Sequence, residues 1–501
     1  LLPRGRNLQD LNSHQELPWD QEKGVSMARG SSRPENFGVT KPRSYAYPTE
    51  PEIHNTCNLL EVLDQHHPCK SAEERFLQSS ALDKLNKIVQ DWVKELTPRG
   101  IKEVNAIFFA FGSYFLQVDE FADPIDTICI GPSFVDHEHG FFKIFHDKMC
   151  QMNEVTRLKS VRNTNVPFME FKLDGVPIKI VYASLPYSVI PFNFDLHQAN
   201  VLSMDDVSRN SFDACRVTNE IYRLVPCNKT FTIALRTVKI WAKSRGLLSN
   251  VIGFLGDCDW AILVGRICQA HPFATLSTIV FEFFSIFSVW FWPNPVMLVD
   301  PRSDPHRLPV WDPHTNRNDI MPIISPVFPC KNIRADASAS TLRDMIYHFK
   351  CGYEQCKLIK VNNNWRDLFM PYKFFEEYIR YVHIDLTADT EQKLELWKKI
   401  GESELLVLIS KIEAGRGQLI CHICPTEHLS SDSCSFFIGL STKKLIVGRA
   451  IPEQVPSDVI NEFMRRMENH KRAGMEVQVG CLNQTYMKSR TWGRSAMPLI
   501  Q

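Results

Sequence analysis

The chain has 501 residues, about three times a typical domain, so two or three packed units are expected rather than one core. Lys plus Arg and Asp plus Glu each number 57, and the resulting zero net charge excludes a globally basic nucleic-acid coat. With 44% hydrophobic and 23% charged residues, the composition is that of a folded protein and excludes a disordered or collagen-like chain. The 15 cysteines are scattered along a chain without a secretory leader, which predicts reduced thiols in an intracellular protein.

Residues 1–36 are polar, rich in Arg, Gly, Ser and Gln, and show no periodicity that defines a buried face, so they read as a disordered N-terminal segment. Over residues 71–96, Phe76, Leu77, Leu82, Leu85, Ile88, Val89, Trp92 and Val93 recur at helical spacing and predict a long amphipathic helix. Strand-like runs follow at 106–111 and 125–130, separated by Gly112-Ser113, and a third at 178–183 follows a turn at Asp174-Gly175. These elements predict a small sheet with helices around it. Helical patterns dominate 201–292, clearest at 230–243. Residues 273–292 have the length of a membrane span, but Glu282 stands in the middle, where a carboxylate costs about 3 kcal/mol. The flanks carry prolines and no basic cluster, so a buried helix is expected and no membrane contact. Beyond residue 369 the order is strand 378–384, helix 391–412, strands 419–423 and 435–440, helix 457–469 and strand 475–480, a split βαβ pattern.

A strand that ends in Phe111-Gly112-Ser113 before a short helix makes a phosphate cradle, because Gly lets the backbone approach and Ser donates. Asp126 opens the next strand, where a metal ligand stands in a two-metal nucleotidyl-transfer site. Taken singly, these residues have plainer readings. Ser113 is a helix cap, Asp126 a turn anchor, and Arg236, Lys239 and Lys243 a solvated helix face.

The stretch Phe111-Gly112-Ser113-Tyr114 through Asp126-Thr127-Ile128-Cys129-Ile130-Gly131-Pro132 resembles the signature of plant-like nuclear poly(A) polymerases, in the nucleotidyltransferase superfamily. Cys215-Arg216-Val217-Thr218, Gly253-Phe254-Leu255-Gly256, Trp292-Pro293-Asn294-Pro295 and Leu308-Pro309-Val310-Trp311-Asp312-Pro313 match in the same order. The resemblance implies an α+β fold of three parts: a nucleotidyltransferase mixed-sheet domain at 73–187, a central helical domain at 188–368 that also packs residues 37–72, and a ferredoxin-like, RRM-like RNA-binding domain at 369–490 before a tail at 491–501. It also implies template-independent transfer of AMP from ATP to RNA 3′ ends, with two Mg2+ or Mn2+ ions held by three aspartates. Further implications are contact with mRNA 3′-processing factors and a monomeric, nuclear protein. The C-terminal import tail of the family is missing here, which leaves the cytoplasm as an alternative.

The catalytic positions depart from that pattern. Pro124 stands where the first aspartate belongs, while Asp126 keeps the second position. Asp123 is three residues from Asp126 and reaches its face only if Pro124 forces a bulge. Lys179 replaces the third aspartate, and an ammonium about 4 Å from a divalent ion repels it by about 8 kcal/mol at an effective dielectric of about 20. Spacing places neither Asp174 nor Glu170 as a substitute carboxylate. Phe111, Gly112, Ser113, Lys239 and Lys243 keep the nucleotide-binding positions, whereas Asp213, Leu248, Asp257 and Cys258 replace family contacts. Two added negative charges oppose a triphosphate. Two functional readings follow: an adenylyltransferase weakened at its metal site, or an inactive RNA- or partner-binding pseudoenzyme.

Cys421, Cys424, His428 and Cys434 approach zinc-knuckle spacing, but a strand over 419–424 turns the first two to opposite faces, so no zinc is expected. For RNA contact the candidates are Lys443, Lys444, Arg449, Arg465 and Arg466.

Overall fold

The computed structural model describes residues 38–101, 104–190, 204–248, 254–301, 310–334, 337–415, 419–424, 428–442 and 455–485. The N-terminal segment, the 491–501 tail, and Lys443, Lys444 and Arg449 lie outside the described residues.

Helix α1 (Glu50–His66) starts in a capping box, with the Glu52 carboxylate accepting from the Thr49 amide at 2.8 Å. Thr56 and Glu52 also hydrogen-bond Ser277 and Thr278, which seats α1 on the central helices ahead of the sheet. The amphipathic pattern at 71–96 forms α2 (Ala72–Glu95), capped by Ser71 and Glu74. Its apolar stripe, Leu82, Leu85, Val89, Trp92 and Val93, is buried against the sheet, and the Trp92 ring lies 5.8 Å from Tyr182.

The sheet has five strands in the order β1 (Ile107–Ala110), β2 (Ile125–Gly131), β5 (Val176–Ser184), β4 (Phe168–Leu173) and β3 (Val155–Val161). The β2–β5 pair is parallel and the others antiparallel, which makes the sheet mixed. A short helix, α3 (Gly112–Phe115), follows β1, and a π-helix (His137–Phe145) runs into α4 (His146–Cys150) after β2. The Asp174-Gly175 turn closes the β4–β5 hairpin with both residues left-handed, φ 50° and 84°.

The helical block comprises α5 (Asp206–Leu224), α6 (Asn228–Ser244), α7 (Asp257–Ala270), α8 (Leu276–Phe287) and α9 (Ala339–Asn362), packed around Trp241, Trp260, Phe283, Phe284 and Phe349. The apolar run at 273–292 contains the 12-residue α8, buried against its neighbours, with the Glu282 carboxylate 3.9 Å from His271. Among the described residues no helix is long and apolar enough to cross a membrane.

After the short α10 (Phe374–Glu377) come β6 (Arg380–Ala388), α11 (Glu391–Ala414), β7 (Leu419–Ile423), β8 (His428–Leu429), β9 (Ser433–Thr442), α12 (Ser457–His470) and β10 (Met475–Asn483). The sheet order β10-β6-β9-β7 is the ferredoxin-like arrangement. Helices α11 and α12 cover one face through Trp397, Leu405, Leu408, Phe463 and Met467, and this core is continuous with that of the helical block. On the other face, Phe437 is fully buried beneath Phe375 of α10, rings 5.1 Å apart, and His383 stacks on it at 4.6 Å. Cys421 and Cys434 enter the helix-side core and Cys424 the opposite cluster. None of the fifteen cysteines forms a disulfide.

Candidate functional site

Strand β1 ends against β2, and the Phe111 amide donates to the Asp126 carbonyl at 2.9 Å. Gly112 then turns the chain with φ 65°, a conformation that favours glycine, and a Cβ here would stand 3.1 Å from the Asp126 carboxylate and press on it. This turn delivers Ser113 beside Asp126. Phe111 itself points into a core cluster with Ile128, Val181 and Phe212.

Ser113 meets two residues of the helical block. Its hydroxyl donates to Asp257 Oδ2, and Lys239 Nζ lies 3.2 Å from Ser113 Oγ and 2.7 Å from Asp257 Oδ1. Lys239 projects from α6, and Asp257 is the first residue of α7, after Gly256, whose amide is capped by Asp259 at 2.7 Å.

Asp126 and Lys179 are register partners on β2 and β5, with Lys179 Nζ 3.2 Å from Asp126 Oδ1 and 4.8 Å from the Phe168 ring centre. Burial pushes the Asp126 carboxyl above its ordinary range, Lys179 opposes that rise, and Asp257 adds to it. The β2–β5 ladder runs without a register shift from Ile125 to Gly131, so no bulge follows Pro124. Pro124 and Asp123 are exposed ahead of the strand, and the Asp123 carboxylate accepts from the Glu120 amide at 2.9 Å instead of joining Asp126.

Glu170 corrects the reading that spacing places no carboxylate near Lys179. The two-residue hairpin turn makes Glu170 the register partner of Lys179 across β4 and β5, so both side chains leave the same face. The hairpin arithmetic carried that signal, because residues equidistant from Asp174-Gly175 pair.

The other sequence-selected positions are dispersed. Lys243 is ion-paired with Glu120. Asp213 pairs with Arg216 at 3.1 Å, and burial raises its carboxyl. Leu248 packs against the helical core. Burial pushes the Cys258 thiol up to about 12, with Asp259 and Asp257 adding to the effect. Arg236 turns inward to the His67 carbonyl, and Arg466 is ion-paired with Glu404. These residues do not fit a pair of divalent ions. The carboxylate on β2 already faces an ammonium, and among the described residues no group of three or more His, Cys, Asp or Glu side chains is arranged to hold a metal.

A mixed sheet whose first strand ends in a Gly-Ser turn beside a carboxylate-bearing strand, with a helical block supplying an inward lysine, is the architecture of a nucleotidyltransferase. Residues 38–225 match the poly(A) polymerase nucleotidyltransferase domain, and residues 230–371 match the poly(A) polymerase central domain. Nuclear poly(A) polymerase 2 of Arabidopsis thaliana is 38% identical over 472 residues, 91% of this chain and 59% of the relative. Nuclear poly(A) polymerase 4 of the same plant is 38% identical over 464 residues, 89% of this chain and 63% of the relative. The chain belongs to the poly(A) polymerase family. It spans 59% and 63% of the length of those two relatives. Among solved structures, the Cid1 poly(U) polymerase aligns with 64% of this chain and 99% of its own, at 13% identity and a TM-score of 0.43. The structure of mtPAP in complex with UTP aligns with 70% of this chain and 80% of its own, at 12% identity and a TM-score of 0.44. Likenesses this distant carry no argument about the site.

Proposed function

We propose that this chain keeps the scaffold and the RNA-directed role of its family, while transfer of AMP from ATP to RNA 3′ ends is weakened or lost. One observation carries the reading: the Lys179 ammonium stands 3.2 Å from the Asp126 carboxylate, where the resemblance implies metal-binding carboxylates. A cation in that place repels a divalent ion and uses the remaining ligand. The partners of this reading are RNA 3′ ends and mRNA 3′-processing factors. Its compartment is the nucleus, supported by the nuclear relatives.

The test is extension of a short RNA primer with ATP and Mg2+ or Mn2+, comparing the unaltered chain with the double variant Pro124→Asp, Lys179→Asp. Extension by the double variant alone supports the reading. Efficient extension by the unaltered chain overturns it. Extension by neither favours the pseudoenzyme, whose measurable property is RNA or partner binding.

A further inference from the structure

A second internal ion pair lies beside the first, and its geometry differs from that of a casual surface contact. Three groups converge from three elements: Ser113 of α3, Lys239 of α6 and Asp257 of α7. Both Asp257 oxygens are engaged, Oδ2 by the Ser113 hydroxyl and Oδ1 by Lys239 Nζ at 2.7 Å. The Lys239 side chain is 11% exposed and that of Asp257 43%, so the ammonium is largely covered while the carboxylate is open to solvent. A buried ammonium requires an anion, and here the chain supplies its own. The hydroxyl and the ammonium are also the two groups that the resemblance assigns to a triphosphate.

We propose that the Asp257 carboxylate is the internal occupant of the anion position formed by Ser113 and Lys239, so that a phosphate group enters only by displacing it. The identity of the ligand class, a polyphosphate or the triphosphate of a nucleotide, rests on the reading above. A carboxylate offers two oxygens to the same hydroxyl and ammonium that a phosphate edge takes. Asp257 also starts α7, where a negative charge is favoured by the helix dipole, so the displaced side chain keeps a stabilising position in water. An intramolecular competitor acts at millimolar or higher effective concentration, which keeps the site weak toward free phosphates.

The test is calorimetric titration of the full chain with inorganic tripolyphosphate and with ATP, in chelator. Asp257→Asn and Asp257→Gly are expected to bind at least about tenfold tighter than the unaltered chain, and Lys239→Met added to either variant to erase the gain. Equal affinity of the unaltered chain and both Asp257 variants, with unchanged melting curves, overturns the proposal. So does a gain in the Asp257 variants that survives the added Lys239→Met. Because binding in chelator is scored without chemistry, primer extension by the unaltered chain would sink the proposed loss of transfer and leave this result standing.

Discussion

Lys179 and Asp126 stand side by side on parallel neighbours β5 and β2, Nζ 3.2 Å from Oδ1. Each neutralises the other at the centre of the site, so replacing one leaves the other charged and partly desolvated. Both side chains are about one-third exposed, so solvent screens much of the interaction. Lys179→Met is therefore expected to cost about 1 kcal/mol at pH 7, read as a lowered urea midpoint. A loss several times larger would mean that the pair is effectively sealed from water.

Asp126 gives the pH dependence a definite sign. Its carboxyl is raised by burial above the ordinary 3.8, so the folded chain holds that proton more tightly than the unfolded chain. Its contribution to stability is fully present below pH 3.8 and is lost as pH rises through the raised folded value. Asp126→Asn removes that segment, and its stability relative to the unaltered chain should climb with pH across the window. Paired denaturant titrations at stepped acid pH measure the difference, and a flat difference refutes the assignment.

Gly112→Ala places a methyl 3.1 Å from the Asp126 carboxylate at a φ of 65°. A destabilisation of about 1–3 kcal/mol is expected, visible as a drop in Tm. Gly175→Ala, also left-handed but with open space around it, should cost only the conformational part, about 1–2 kcal/mol.

His348 of α9 lies where the helical block meets the C-terminal sheet. Its ring is 4.8 Å from Tyr372 and 6.0 Å from His422, and His422 Nε2 lies 2.6 Å from Asp344 Oδ1. Burial, then His422 and Arg245, lowers the His348 ring from 6.5 to about 3. The unfolded chain therefore gains a proton below pH 6.5 that the folded chain refuses, and stability falls by up to about 1.4 kcal/mol per pH unit. Asp344, raised by burial, acts in the opposite sense above pH 3.8. His348→Phe should flatten the acid limb of the stability curve between pH 6 and about 4. An unchanged limb would place the acid sensitivity elsewhere.

Legibility in the sequence followed the range of the interaction. Helix α2 and strand β7 were readable because their apolar periodicity and turn signals are local. Strands β3 and β4 were not singled out: β3 is a partly exposed edge whose side chains need no strong apolar alternation. Pro124 and Lys179 stand where the resemblance implies aspartates, and that departure is legible residue by residue. The ion pair that Lys179 makes depends on a parallel pairing that no short-range pattern encodes. Asp257 looked only like an added negative charge, because its contact with Ser113 spans 144 residues.

The apolar interior shared by the helical block and the C-terminal sheet sets a limit on dissection of the molecule. Leu235 and Trp241 belong to the same buried cluster as Val382, Trp397 and Phe463. A fragment ending at residue 371, where the central-domain match stops, would present a wet apolar wall in place of a packed one. The two blocks are consequently expected to melt as one cooperative unit, read as a single transition of the full chain.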